Sequence, residues 1–331
     1  MKLKKKLLVK GYVFKTRTDT EVVSNAFEEW GDECFQFFNG QFSIAILDTK
    51  KKKLIIVRDR LGISPLYFFQ DQHSFIFASD VNSIVNCLDK KLKLNKKRLF
   101  SQIALPYKLH QLKNETLFKD INQLEPARIL YLDILTGFYK QKSFWSVSNI
   151  KQKNTSFLEL KKNINDILID SVKIRMRTDR KLAFIISGGI DSSATLGIAK
   201  KIFNIKPQTF SLDLPDARFN ENSAIIENVK FLELEHEFIK VTPNSFLDKL
   251  EEFHLNMDQP LATPNTILHM IMAEKIFKSN INVVLNGVGG DEVFFGYHDH
   301  FLYFLYNHKN KKSFNYELYH WLKDQKRDEK L

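Results

Sequence analysis

A glycine-rich segment decides the fold of this chain, and it reads Ser187-Gly188-Gly189-Ile190-Asp191-Ser192-Ser193. The apolar run 182–186 before it predicts a β-strand, and residues 194–203 after it are typical of a helix. Two adjacent glycines let the backbone turn tightly with its N–H groups outward, and the helix directs its positive end to the same place. This segment, the first glycine loop, therefore predicts a site for an anionic, phosphate-like group.

The polar side chains of the first glycine loop refine this prediction. The hydroxyls of Ser187, Ser192 and Ser193 add hydrogen-bond donors. Asp191 repels a phosphate unless a cation bridges the two groups, so the loop also implies Mg²⁺. The simpler alternative is a glycine turn capped by serine and aspartate, which the strand and the helix on either side disfavour.

The second half of the chain alternates long helical patterns with brief apolar strands. Helices are predicted at 157–176, 194–203, 223–231, 246–256 and 266–278, and strands at 182–186, 209–212 and 283–285. This alternation predicts a doubly wound parallel sheet, in which ligands bind beyond the carboxyl ends of the strands. A second glycine loop, residues 286–292, follows the last of these strands. Asp191 and Asp291 could therefore converge on one Mg²⁺ that bridges the phosphates of a nucleotide.

The first half of the chain has closely spaced short strands instead. Helices are predicted at 1–10 and 19–30, and strands at 12–14, 42–47, 54–57, 66–69, 75–78, 128–132 and 138–139. Such spacing favours an antiparallel sheet with helices on its faces. The polar stretch 146–156 has no apolar periodicity and is interpreted as a linker. We therefore place two domains in the chain, at 1–148 and 157–331.

Composition restricts the class of protein. The 50 Lys and Arg against 39 Asp and Glu give a net charge of +11, but the lysines are scattered and no basic stripe carries interleaved aromatics. Cys34 and Cys87 are too few and too far apart for a disulfide framework or a zinc knuckle, which fits a reducing compartment. No apolar run approaches the roughly 18 residues of a membrane span. We expect a soluble, cytoplasmic protein that binds neither nucleic acid nor membrane.

Several motifs resemble those of the glutamine-hydrolysing asparagine synthetase family. The first glycine loop is similar to the pyrophosphate loop of the ATP pyrophosphatases, and the second glycine loop followed by Phe295-Gly296-Tyr297 resembles the second signature of the family. Three segments resemble successive parts of its glutaminase domain: 18–22 (TDTEV), 38–45 (FNGQFSIA) and 58–67 (RDRLGISPLY). Several motifs in family order over nearly the whole chain are far more specific than one loop.

The resemblance implies both a fold and a chemistry. The fold would combine α/β and α+β parts: a partial N-terminal-nucleophile glutaminase sandwich, followed by a doubly wound parallel-sheet ATP-binding domain. ATP and Mg²⁺ would adenylate the side-chain carboxylate of aspartate with release of pyrophosphate, and ammonia from glutamine would then displace AMP to give asparagine. The loop amides and hydroxyls would hold the pyrophosphate, with Mg²⁺ on Asp191 and Asp291.

Matching positions carry further roles from the family to this sequence. The implied ATP-binding residues are Ile185, Ser187, Gly188, Gly189, Asp191, Ser192, Ser193, Leu212, Asn286 and Gly287. Among these, Ile185 and Leu212 would lie beside the adenine, although both would be core strand residues in any case. Asn286 could also be a turn residue. Asp19 would bind the amino group of glutamine, and its alternative role is a helix N-cap.

The chain departs from the family pattern in three places. A glutaminase of this type uses an N-terminal cysteine activated by its own amine, whereas this chain begins Met1-Lys2. Neither Cys34 nor Cys87 has a family motif around it, so we expect no glutaminase activity from this chain alone. The end at residue 331 omits a helical region of the synthetase domain, and we expect a fragment truncated at both ends. Val288 stands where the family usually has a carboxylate, and an apolar side chain cannot accept a proton.

Three functions remain open from the sequence. The first is an asparagine synthase (glutamine-hydrolysing) type of ligase, which a complementing subunit or a homodimer would complete. The second is an amidotransferase, fed by ammonia or by a partner, that acts on a carboxylate other than aspartate. The third is an inactive remnant that only binds a nucleotide.

Overall fold

The computed structural model describes residues 2–104, 114–150, 154–257 and 260–328, and the chain divides into two compact units. The first unit comprises Met1–Asn154 with His254–Thr263, and the second comprises Thr155–Phe253 with Pro264–Leu331. Each unit contains a hydrophobic core of its own. Within the described ranges, no helix combines the length and the apolar character that crossing a bilayer requires.

The first unit is built from short antiparallel strands and from helices. Its strands are β1 Ser43–Asp48, β2 Lys53–Arg58, β3 Tyr67–Gln70, β4 Phe75–Ala78, β5 Ile121–Gln123, β6 Arg128–Asp133 and β7 Tyr139–Ser143. Its helices are α1 Lys2–Val9, α2 Asp19–Trp30, α3 Val81–Cys87 and α4 Lys96–Ala104. One sheet has the strand order β1-β2-β6-β7 and the other has the order β4-β3-β5.

These sheets and helices stack in layers. Side chains alternate across the four-stranded sheet, so Val57 and Ile129 face a core shared with α1 and α2, while Ile56 and Leu130 face the three-stranded sheet. Helix α3 covers the outer face of the three-stranded sheet through Ile84. Burial on both faces explains why β2 reads as a continuous apolar run. The antiparallel sandwich with helices on its faces is therefore confirmed.

The strands of the first unit differ from the prediction at two places. The strand predicted at 12–14 is wrong, because this segment has no partner strand among the described residues. Tyr12 and Phe14 instead pack into the core under α1 and α2. Strand β5 was not predicted, since Ile121 is its only apolar residue.

The second unit contains a single parallel sheet. The strands are β8 Leu182–Ile185, β9 Gln208–Asp213, β10 His236–Lys240 and β11 Val283–Leu285. The helices in this part of the chain are α5 Phe157–Arg175, α6 Ile190–Lys201, α7 Asn222–Leu232, α8 Pro243–Asn256, α9 Asn265–Lys278, α10 Gly290–Phe294, α11 His298–His308 and α12 Phe314–Asp328. The sheet has the order β10-β9-β8-β11, and every neighbouring pair is parallel.

Helices cover both faces of this sheet, as the prediction of a doubly wound fold requires. Phe184 of β8 lies in a core with side chains of α5, α6 and α7. Because side chains alternate along a strand, Ile185 lies on the opposite face, where it lines a cavity with Met272 of α9. The sequence pattern missed β10, an edge strand in which His236 and Glu237 interrupt any apolar run.

The strand order creates a switch point between β8 and β11. From β8 the chain moves outward to β9 and then β10, and it returns to place β11 on the other side of β8. Loops that leave two such strands diverge to opposite sides of the sheet, which opens a crevice at their carboxyl ends. The first glycine loop follows β8 and the second follows β11, so both lie at this crevice.

Candidate functional site

The first glycine loop ends in a helix whose first amides make no hydrogen bond to any residue that the structure describes. Helix α6 begins at Ile190, four residues earlier than the sequence pattern predicted, and Gly189 occupies its N-cap position without a side-chain capping bond. The N–H groups in the first turn of a helix have no partner within the helix. The amides of residues 190–192 are therefore donors at the positive end of α6, where an anion is stabilised.

The serine hydroxyls of the loop are engaged within the protein. Ser192 is only 6% exposed, and its Oγ accepts a hydrogen bond from the Ser187 amide at 3.1 Å. Ser187 Oγ accepts from the Gly189 amide at 3.2 Å. Ser193 Oγ donates to the Gly189 carbonyl at 2.8 Å and accepts from Asn228 Nδ2 at 3.0 Å. These hydroxyls shape the loop, and the helix amides are the donors left for a ligand.

The second glycine loop lies directly against the first. A Cβ on Gly287 would come within 2.5 Å of the Ser192 backbone nitrogen and 2.8 Å of the Asp191 carbonyl carbon. A Cβ on Gly290 would fall 2.0 Å from Asp191 Oδ2. Both distances are far below van der Waals contact. At Gly287 the obstructing atoms belong to the backbone, so only glycine permits this approach there, whereas a Cβ on Gly290 would displace the Asp191 carboxylate. The convergence of the two loops, predicted from their places at strand ends, is observed.

Acidic side chains gather where the loops meet. Asp191 and Asp291 both line the cavity, and no hydrogen bond or ion pair engages either carboxylate among the residues that the structure describes. The Tyr297 hydroxyl donates to Glu292 Oε1 at 2.8 Å, and this bond raises the pKa of the tyrosine. Burial and nearby negative charge raise that pKa further, with Asp291 and Asp191 among the sources. This concentration of unpaired negative charge favours a cation.

The acidic groups suit a metal ion that is shared with a ligand. Across the described ranges, no three His, Cys, Asp or Glu side chains are close enough together to hold a metal on their own. Mg²⁺ commonly takes one or two carboxylates and completes its shell with phosphate oxygens and water. Asp191 and Asp291 therefore fit Mg²⁺ that arrives with a polyphosphate, rather than a permanent metal centre.

The cavity at this crevice is large enough for a nucleotide. Its volume is about 610 Å³, within the range of small-ligand sites. One wall is apolar and includes Ile185, Met272, Ile276 and Val284, while the two glycine loops form the polar wall. A flat, apolar group can lie on the first wall while an anionic group reaches the second.

The structure places most of the predicted ligand-binding residues around this cavity. Those that line it are Ile185, Ser187, Gly189, Asp191, Ser192, Asn286 and Gly287. Gly188, Ser193 and Leu212 are not among its described lining residues. Asn286 also shapes its own turn, since its Oδ1 accepts from the Val288 amide at 3.1 Å. Both the ligand-contacting and the turn-forming interpretation of Asn286 therefore remain compatible with the geometry.

Other lining residues were not assigned a ligand-binding role from the sequence. They are Ile190, His269, Met272, Ala273, Ile276, Val284, Gly289, Glu292 and Tyr297. Four of them belong to α9, whose apolar spacing predicted a core helix and carried no signal for a ligand. Val288 also lines the cavity with 75% of its surface exposed, so this position offers neither a base nor a cation ligand.

In the first unit, Asp19 is the first residue of α2 and is exposed. The alternative role of Asp19 as a helix N-cap is wrong, because Thr18 is the N-cap and its side chain accepts from the Glu21 amide. No hydrogen bond or ion pair within the described part of the chain engages the Asp19 carboxylate. It is therefore available to a ligand from solvent.

The two cysteines differ sharply in solvent exposure. Cys34 is fully buried, and burial raises the pKa of its thiol to about 12, whereas Cys87 is exposed. Because the thiolate is the nucleophile, iodoacetamide at pH 8 is expected to alkylate Cys87 in the folded protein and to leave Cys34 unmodified. Peptide mass spectrometry measures both sites, with protein unfolded in urea as the positive control. Equal alkylation of both thiols in the folded protein would contradict the burial of Cys34.

Comparison with known families agrees with this arrangement. Residues 1–145 match the family model described as a glutamine amidotransferase domain, and residues 163–330 match the model described as asparagine synthase. The second match covers more than half of the chain.

Individual relatives give the same family. A protein of Methanocaldococcus jannaschii with the provisional name asparagine synthetase [glutamine-hydrolyzing] 2 is 30% identical over 297 residues, which cover 86% of this chain and 55% of the relative. Asparagine synthetase [glutamine-hydrolyzing] 1 of Bacillus subtilis is 28% identical over 297 residues, covering 90% of this chain and 46% of the relative. The chain thus spans about half the length of these relatives.

A solved structure of NMN synthetase from Francisella tularensis also overlaps the chain. The overlap covers 44% of this chain and 59% of that protein, with 21% identity and a TM-score of 0.30. A likeness at this level supports no inference about function.

Proposed function

The chain belongs to the asparagine synthase family, and from that premise we propose that its second unit binds ATP with Mg²⁺ and adenylates a carboxylate. The observation that carries the proposal is the meeting of the two glycine loops. There the free amides at the start of α6 face a cavity that also holds the unpaired carboxylates of Asp191 and Asp291. Positive amides and acidic side chains occur together where Mg²⁺ mediates between protein and phosphate.

Each part of the cavity has a role in this reaction. The adenine lies on the apolar wall beside Ile185, and the triphosphate extends toward the amides of residues 190–192. Asp191 and Asp291 would hold Mg²⁺, and the bound ion would supply positive charge to offset the charge on the departing pyrophosphate. An oxygen of the acceptor carboxylate attacks the α-phosphorus, the bond to the β-phosphate breaks, and pyrophosphate leaves to the first glycine loop. Ammonia then attacks the acyl carbon and AMP leaves, giving the amide.

We assign the acceptor and the nitrogen donor from the family. The acceptor is the side-chain carboxylate of aspartate, and the nitrogen comes from glutamine bound in the first unit through Asp19. In this assignment, residues 1–148 form the glutaminase-type domain and residues 157–331 form the ATP-binding domain. The proposed protein partner is a complementing subunit or a second copy of this chain.

One observation favours a second candidate. Val288 exposes an apolar side chain to the cavity where the family usually has a carboxylate. Because Val288 supplies no carboxylate, the cavity is better suited to an acceptor whose reaction does not depend on a protein carboxylate at this position. Aspartate is the acceptor in the family, where that carboxylate is usually present. The second candidate is therefore an amidotransferase, fed by ammonia or by a partner, that acts on another carboxylic acid.

Pyrophosphate release from ATP and Mg²⁺ tests these assignments. The purified chain is incubated with ammonium and with aspartate, with a panel of other carboxylic acids, or with no acceptor. Release that depends on aspartate supports the first assignment, and release only with another acid supports the second. If ATP binds but no acid elicits release, the proposed ligation is wrong and the chain only binds a nucleotide. Absence of ATP binding would refute the proposal as a whole.

A further inference from the structure

Glu221 contacts the first glycine loop at Gly188, a residue that does not line the cavity. Its Oε2 accepts a hydrogen bond from the Gly188 amide at 3.0 Å. Glu221 occupies the N-cap position of α7, so the start of α7 is joined to the loop by this bond. A Cβ on Gly188 would lie 3.1 Å from the Ala224 Cβ and 3.2 Å from the Glu221 Cβ. The loop is therefore seated closely on the first turn of α7.

This contact does not occupy the cavity. Gly189, Ile190 and Asp191 line the cavity, whereas neither Gly188 nor Glu221 is among its described lining residues. The Gly188 amide is therefore directed out of the cavity, toward α7, and the carboxylate of Glu221 does not stand in for a phosphate. It holds the loop through Gly188 and leaves the amides of residues 190–192 unoccupied.

The Glu221 carboxylate has no competing role in the described part of the chain. It makes no side-chain capping bond to α7, and no ion pair engages it. The positive end of α7 favours a negative charge at this position. A charged acceptor also binds an amide N–H more strongly than a neutral acceptor does.

We propose that Glu221 is a positioning residue for phosphate binding, acting through the Gly188 amide. Two adjacent glycines have wide backbone freedom, and a loop that must be ordered by its ligand binds that ligand less tightly. The bond from Gly188 to Glu221 orders the glycine pair before ATP arrives. This inference rests on the proposed function, because it concerns affinity for the triphosphate.

The test compares glutamate variants by calorimetric binding of the Mg²⁺ complex of α,β-methylene-ATP to the full chain. Glu221→Ala is expected to weaken binding by about tenfold, the effect of one lost charge-assisted hydrogen bond. Glu221→Gln is expected to bind within about threefold of the parent, because its amide oxygen accepts the same N–H. Glu227→Ala is the matched control, since Glu227 lies exposed on the same helix and should leave affinity unchanged.

A spectroscopic measurement without ligand tests the same contact. The Gly188 amide proton is expected to move upfield in Glu221→Ala and to move little in Glu221→Gln. If the alanine variant does not fold, the affinity of Glu221→Gln tests the inference instead. A tenfold loss of affinity for the ATP analogue in a folded Glu221→Gln would overturn it.

The outcomes separate this inference from the proposed function. If the parent binds the analogue and Glu221→Ala binds it equally well or more tightly, the proposed function stands and the positioning role is wrong. Equal weakening by alanine and glutamine would also overturn it, because the hydrogen bond would then not be the cause. If neither the parent nor any variant binds the analogue, the ATP site itself is wrong and the inference fails with it.

Discussion

Replacement of Gly287 by alanine is expected to abolish measurable binding of Mg²⁺-ATP to the second unit. The new Cβ would lie 2.5 Å from the Ser192 nitrogen and 2.9 Å from the Ser192 Cα. Both atoms are backbone at the start of α6, so the clash is relieved only if the two glycine loops separate. Separation would move Asp291 away from the free amides of α6. The proposed ligands of the phosphate and of its metal would then no longer lie close enough to bind Mg²⁺-ATP together.

The same substitution should also destabilise the fold. Overpacking a closely packed contact costs about 1–3 kcal/mol, measurable as a lower free energy of unfolding in urea. Gly197→Ala is the matched control, because Gly197 lies within α6 and a Cβ added there would meet no atom within 4 Å beyond the backbone of its own helix. Alanine there should leave ATP affinity unchanged and raise stability by up to about 1 kcal/mol. Normal ATP affinity in Gly287→Ala would show that the loops need not be in contact.

Replacement of Asp191 by asparagine is expected to reduce pyrophosphate release on the order of 100-fold or more, the loss typical when one charge-stabilising group is removed from an active site. Asparagine keeps the shape of the side chain and removes the negative charge that we propose holds Mg²⁺. No described residue bonds to the Asp191 carboxylate, and Gly290 lies against it. Folding therefore should not suffer, and the melting temperature is expected to stay unchanged or to rise as repulsion with Asp291 is removed.

Two measurements distinguish loss of metal binding from loss of structure. In Asp191→Asn, the activity that remains should require a higher Mg²⁺ concentration, while the thermal unfolding midpoint is unchanged or higher. Asp170→Asn provides the control, because it removes one exposed aspartate from α5 and should affect neither quantity. Full activity of Asp191→Asn at ordinary Mg²⁺ would exclude a metal role for this carboxylate.

Local sequence patterns predicted most of the second unit. The apolar runs before Ser187 and Asn286 do form β8 and β11, and the alternation with helices does produce a parallel sheet. Strand β10 escaped prediction because an edge strand is not buried on both sides and therefore tolerates His236 and Glu237. The strand wrongly predicted at 12–14 shows the converse case, in which aromatic residues are buried without sheet pairing.

The sequence predicted which residues belong to the candidate site, but it did not predict which hydrogen bonds their side chains form. The sequence placed Ser192 among the ligand donors, but the folded loop uses its hydroxyl to hold the Ser187 amide. It suggested a capping role for Asp19 that Thr18 performs instead. Hydrogen-bond partners depend on the relative orientation of donor and acceptor and on distances below about 3.5 Å, which residue types and spacing do not specify.

By itself, the sequence determined that this protein has a strand, a glycine turn and a helix around Ser187–Ser193, because these elements depend on local periodicity and on backbone freedom. Only the tertiary structure decided that Gly287 meets Ser192 and that Glu221 holds Gly188. Those contacts join residues that are distant in the chain, and they arise from the order in which the strands assemble. That assembly brings Asp291 to the same cavity as the first glycine loop and places Glu221 within hydrogen-bond distance of Gly188.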